Sequence, residues 1–345
     1  MNERTESMKN KNSINEELNP TVIMQNVYSV FPSMAMLAGM ELDVFTPLKD
    51  GPLDAKNLAD ALNVQEDKLM PLLYALVVAD LLKLEGQCFS NTDEATHFLV
   101  QGRPGYIGGL NGFFKMLIQI SMKTTESIRT GKPQAKFDFH SLSEEELAVY
   151  FRKQVHSSRS GGKEIAEKID FSGYENLLDA GGGSGGVSMA LCTRYPSLKA
   201  TVADLPKVVK LAEQFIAEES LSNRISVSST DLSIDSPPGE YDVAILRALI
   251  QTLSKENAQN VLLNIGRSLL PGGRILIFGN VLNDTRLGPS ASIAYGLVFL
   301  NTYDDGKAYT EEEYREMLEN AGFKHIVIDH DFLTDGMGLV SAIKQ

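Results

Sequence analysis

The chain has 345 residues, enough for two ordinary domains, and its 43% hydrophobic and 22% charged content is that of a globular protein rather than a disordered one. A formal net charge of -13 repels a phosphate backbone and no local basic patch offsets it, so nucleic acid is not expected as a partner. Cys88 and Cys192 lie in different kinds of segment and cannot build a disulfide framework. The five histidines show no ligand spacing, so no metal is expected.

Residues 1–20 read as a mobile polar tail. They lack the apolar core of a signal peptide, and no run approaches the length of a membrane span, so a cytoplasmic protein with no membrane partner is expected. From Val22 to Val44 apolar residues predict a helix interrupted near Pro32. Being apolar on more than one face, it is expected to be buried, against another chain if not its own. Next comes DAKNLADALNVQEDKLMPLLYALVVADLLKLEGQCFSNT, which predicts a helix, a turn, a longer helix over Asp67–Leu82, and short strands around Leu84 and Phe89. That is the order of a winged helix. A DNA-reading module would need a basic second helix. Here that helix is apolar with a single Lys, which favours dimerisation or pocket scaffolding. Gly105–Arg129 predicts another apolar helix, rich in Phe and Met; most of these side chains are core, with Phe113 and Met116 as candidates to wall a pocket.

Beyond Tyr174 the pattern changes. ENLLDA, LKATVAD, ISVSST, YDVAILR, RILIFGN and HIVIDH are short apolar runs separated by amphipathic stretches, which predicts a doubly wound α/β domain with a parallel sheet. Ligand-binding loops then gather at the carboxyl ends of the strands. The motif LLDAGGGSGG joins a strand to a helix through Gly181, Gly183 and Gly186, where side chains would obstruct a ligand lying on the backbone. The same glycines match the dinucleotide fingerprint, so a nicotinamide-dependent oxidoreductase is one reading. Asp179 argues against it: an acid just before the loop repels a pyrophosphate and suits a ligand with a cationic amino group. Asp204 ends the next strand and can accept ribose hydroxyls, and Asp231 follows the third, where an acid or its neighbour can meet an adenine amino group. Together these favour S-adenosylmethionine. The Glu311–Glu313 run reads as a helix N-terminus favoured by the dipole, not as a metal site.

These residues resemble the S-adenosylmethionine-dependent small-molecule O-methyltransferases, a family that includes caffeate-type and acetylserotonin O-methyltransferases. The resemblance covers about Met24 to Ala342 and rests on DFSGYENLLDAGGGSGGVSMALCTRYPSLKATVADLPKVV, PPGEYDVAILR, LLPGGRILIF and YTEEEYREMLENAGF. It implies a winged-helix-like dimerisation domain over 21–105, a helical linker lining the acceptor pocket over 106–170, and a Rossmann-like methyltransferase domain over 171–345. It also implies a homodimer through the N-terminal domain. Cofactor contacts carried over are Gly181, Gly183, Asp204, Leu205, Asp231, Leu232 and Arg247, with Asp179 close by.

The family's catalytic residues do not carry over. Where it reads L-[KR]-x-x-L-H-D-W, this chain reads LRALIQTL, so Gln251 stands at the position of the basic His and Thr252 at the Asp. Asn280 and Ala308 stand where the family has two further acids. Gln and Asn cannot take a proton at neutral pH. The acceptor is therefore expected to be nucleophilic already, as a thioether or thiol sulfur or an ionised oxygen, and to react by proximity and alignment. The alternatives are a non-standard base, with His156 first and His140 behind it, a C-methyltransferase, or a non-enzymatic S-adenosylmethionine- or S-adenosylhomocysteine-binding regulator. Gln251, His156, Tyr295 and Tyr303 complete the pocket candidates.

Overall fold

The computed structural model describes residues 19–136 and 142–345, which divide into two compact units, Met1–Leu117 and Ile118–Gln345. The tail as far as residue 18, and His140, lie outside the described residues. The division falls within the segment expected to be a separate linker.

In the first unit, α1 (Thr21–Tyr28) and α2 (Val30–Glu41) meet at Ser29, just ahead of Pro32. After β1 (Leu53–Asp54) come α3 (Ala55–Leu62), α4 (Glu66–Val78), β2 (Leu82–Glu85), β3 (Cys88–Asn91), α5 (Asp93–Phe98) and α6 (Asn111–Ser121). Asp54 caps α3 by accepting from the Asn57 amide, and α4 buries Leu69, Leu73 and Leu76 along one stripe. The wing is three-stranded and antiparallel, in the order β1-β3-β2; β1 is too short to have been legible as a strand. Two expectations need correction. The longer helix stops at Val78, where Asp80 turns to φ 57° and the Leu81 amide closes back on the Leu76 carbonyl. And α1 has no buried residue: Val22, Ile23, Val27 and Tyr28 are exposed in the single chain.

The helix expected over Gly105–Arg129 breaks at Met122–Lys123, with α6 before the break and α7 (Thr124–Thr130) after it. The second unit continues with α8 (Glu144–Lys168), β4 (Asn176–Ala180), α9 (Gly186–Arg194), β5 (Lys199–Asp204), α10 (Pro206–Glu218), β6 (Ile225–Ser229), β7 (Tyr241–Arg247), α11 (Lys255–Ser268), β8 (Leu269–Gly279), β9 (Val281–Leu282), α12 (Ser290–Thr302), β10 (Tyr309–Thr310), α13 (Glu311–Asn320), β11 (Phe323–Asp329) and β12 (Gly338–Lys344). The main sheet runs β11-β12-β8-β7-β4-β5-β6. Strands β4 to β8 are parallel and their Val, Ile and Leu runs are buried on both faces, against α8, α9 and α10 on one side and α11 and α13 on the other. The sheet is not wholly parallel as expected: β12 inserts between β11 and β8 and is antiparallel to both. The Pro271-Gly272-Gly273 turn bulges out of β8, shifting its register against β7 between Tyr241 and Val243. Among the described residues no helix is long and apolar enough to cross a membrane.

Candidate cofactor and acceptor site

The strand order reverses at β4, with β5 on one side and β7 on the other, so the crevice beyond the carboxyl end of β4 is the topological switch point. The glycine loop occupies it. Gly181 and Gly183 take φ 67° and 55°, and a side chain at either would press on Leu249 or Phe151. A turn with this backbone brings the chain close to whatever lies over it.

Asp179 sits beneath that loop, 1% exposed, rather than at its surface. One carboxylate oxygen accepts from the Ser188 hydroxyl at 2.7 Å, and a Cβ on Gly182 would collide with the carboxyl group. Burial pushes its pKa up to about 6, against the lowering effect of the Ser188 bonds. The glycines thus lie between its carboxyl group and the outer face of the loop. Asp204, half-buried at the end of β5, accepts from the Gly183 amide at 2.9 Å and the Leu205 amide at 2.7 Å; burial raises its pKa too. A carboxylate has about four acceptor positions, so capacity for a pair of hydroxyls remains. Asp231 is fixed by Ser233, whose hydroxyl and amide both donate to one oxygen, while the Leu232 carbonyl is held by Asn264. Arg247 ends β7 and its guanidinium lies on Gly161 of α8. Nη2 donates to Asp335 at 2.7 Å, and Nε is buried with no partner among the described residues. Glycine backbone, acids ending successive strands and a cation with a spare donor fit a nucleoside carrying both an ammonium and a carboxylate.

Gln251, Asn280 and Ala308, the positions expected to replace catalytic residues, lie around the end of β8. The Gln251 side chain, 4% exposed, lies against the α-carbon of Gly279 at the end of β8. Asn280 follows, 1% exposed, with both amide atoms unpaired among the described residues. The short parallel ribbon aligns Tyr309 with Val281, which sets buried Ala308 opposite Asn280. Tyr303 packs on Gly306, beside the Gln251 carbonyl.

Tyr295 and Phe299 of α12 and Tyr303 just past its end follow one another at 5.8 and 6.2 Å between ring centroids. Tyr150 of α8 stands edge-on to Phe151, the ring over Gly183. His156 does not join this group. It is exposed, and it lies about 140° round α8 from Gly161, the residue under Arg247. Phe113 and Met116 are exposed on α6 in the first unit.

A family model described as an O-methyltransferase domain matches residues 124–324, and one described as an O-methyltransferase dimerisation domain matches residues 24–101. The 3-hydroxy-5-methyl-1-naphthoate 3-O-methyltransferase of Streptomyces sahachiroi is 27% identical over 94% of this chain and 95% of its own length. The tetracenomycin polyketide synthesis 8-O-methyl transferase TcmO of Streptomyces glaucescens is 27% identical over 89% and 92%. Among solved structures, the S-adenosylmethionine-dependent methyltransferase SibL in its apo form matches with a TM-score of 0.79 and 23% identity, over 94% of this chain and 99% of that one, which speaks for the fold.

Proposed function

Since the chain belongs to the O-methyltransferase family and is a methyltransferase acting on small molecules, we propose that it uses S-adenosylmethionine to methylate an acceptor that is nucleophilic before it meets the enzyme. The observation that carries this reading is the cluster of Gln251, Asn280 and Ala308: at the end of β8, where the family places its proton-accepting and orienting groups, these three hold no titratable side chain. S-Adenosylmethionine supplies an electrophilic methyl on a sulfonium centre. The protein's part is to hold Asp204 for the ribose hydroxyls, Asp231 and Leu232 near the adenine, and Arg247 for the carboxylate. The glycine turn gives backbone approach, and the aromatic wall keeps water from the acceptor. A thiol, a thioether or an ionised oxygen meets the requirement. His156 as a substitute base is disfavoured by its exposed position.

The dimerisation domain supports a homodimer, and the exposed apolar row on α1 and α2 is the surface suited to it. The test of function is transfer of an isotopically labelled methyl from S-adenosylmethionine into a small-molecule extract of the source organism, read by mass spectrometry with cofactor binding measured in parallel. A labelled product is expected, and Asp204→Ala should weaken cofactor binding at least tenfold. Unchanged affinity would remove the site assignment. Binding without product would favour a non-enzymatic regulator.

A further inference from the structure

Asp179 is buried beneath the glycine loop, so it is not the carboxylate that meets a ligand's ammonium group. Asp335 is placed to be that carboxylate. It belongs to the connection between β11 and β12, which crosses the carboxyl ends of β7 and β8. There the Phe332 ring packs on Phe278 of β8, 5.9 Å between centroids, and Asp335 Oδ2 accepts from Arg247 Nη2 at the end of β7 at 2.7 Å. The turn that carries Asp335 is held from both sides. Leu333 is buried, its amide donates to the Met337 carbonyl at 2.9 Å, and Gly336 closes the bend at φ 84°. Thr334 donates from its amide and from its hydroxyl, each at 2.9 Å, to Glu164 of α8, and the Met337 amide donates to Asp335 Oδ1 at 3.1 Å. The Asp335 carboxylate is therefore fixed, yet its side chain stays 41% exposed, with acceptor positions beyond the two in use.

Arg247 lies against Gly161 of α8, and the next residue, Gly162, packs on Val187 just past the glycine loop. The two glycines bring Arg247 and the start of α9 against the same stretch of helix, so the ion pair stands beside that loop. As a brace for the turn such an open pair adds little, and Glu164 already fastens it. Resting on the reading of this site as one for S-adenosylmethionine, we propose that Arg247 and Asp335 together recognise the zwitterionic amino-acid end of the cofactor, Arg247 taking its carboxylate and Asp335 its ammonium group. A fixed cation beside a fixed anion matches a ligand that carries both charges. It disfavours a ligand that carries the carboxylate alone, because Asp335 then faces an anion with nothing to offset it. No covalent bond forms or breaks in this step.

Calorimetry on the full-length protein tests the pair with S-adenosylhomocysteine, its analogue with hydrogen in place of the amino group, and 5′-methylthioadenosine, which lacks the whole amino-acid end. The wild type should bind S-adenosylhomocysteine at least about tenfold more tightly than the deaminated analogue. Asp335→Asn keeps the size and an acceptor oxygen. It should weaken S-adenosylhomocysteine by about tenfold or more, leave 5′-methylthioadenosine unchanged, and bind the deaminated analogue as tightly as before or more so. Equal wild-type affinity for S-adenosylhomocysteine and the deaminated analogue, an unchanged S-adenosylhomocysteine affinity in the variant, or a loss shared by all the ligands would overturn the proposal. The wild-type comparison does not depend on the folding of any variant. Failure of the underlying reading would look different, as a wild type that binds none of these nucleosides.

Discussion

Asp179 shows how one residue links loop geometry to stability. Its carboxyl group is buried under the glycine turn, and its pKa rises from 3.8 to about 6. Between those values the folded state holds a proton that the unfolded state has lost, so stability falls as pH rises from about 4 to about 6 and stays lowered above it. The full penalty is on the order of 3 kcal/mol. Other carboxylates, such as Glu164 and Glu313, shift downward and pull the opposite way, so the comparison must be with a variant. Asp179→Asn keeps an oxygen for Ser188 and removes the charge. The difference in unfolding free energy, variant minus wild type, should grow across pH 4–6 and level off above it. A difference that is flat in pH would mean that the carboxylate is solvated or paired in solution.

At the scale of elements, α1 stands out because it is apolar and buries none of its residues within its own chain. Its sequence pattern led to an expectation of burial that the single chain does not meet. Periodicity reports the apolar faces and not what covers them, so it could not tell the helix's own chain from another as the cover. Val27→Glu combined with Phe31→Glu places charges on that row and should convert the dimer to a monomer in sedimentation velocity, with the second unit still folded. A dimer that survives both charges would move the interface elsewhere. The same limit explains His156. A 25-residue helix such as α8 presents every direction in turn, and only its packing, through Gly161 under Arg247, Gly162 on Ala190 and Phe151 over Gly183, shows which side faces the site. His156 could not be oriented from sequence for that reason, and the helix leaves it exposed. β12 escaped notice because no helix precedes it, so the strand-helix alternation that revealed β4 to β8 has no counterpart there.

For the whole molecule, the parallel core, the glycine loop and the acids ending β5 and β6 were readable from residue types at fixed spacing, because backbone geometry alone brings strand ends together. The acceptor side was not, since α8, α12 and the β8–β9 junction are far apart in sequence and meet only through tertiary packing. Gln251, Asn280 and Ala308 lie around Gly279 and its neighbours, and the proposal of a base-free enzyme rests on them. The most direct test is the turnover of Gln251→Ala with the acceptor identified by methyl labelling. If no base operates there, turnover falls by less than about tenfold, with cofactor affinity unchanged. A loss beyond about 10³-fold would show that Gln251 performs chemistry, and would contradict the account.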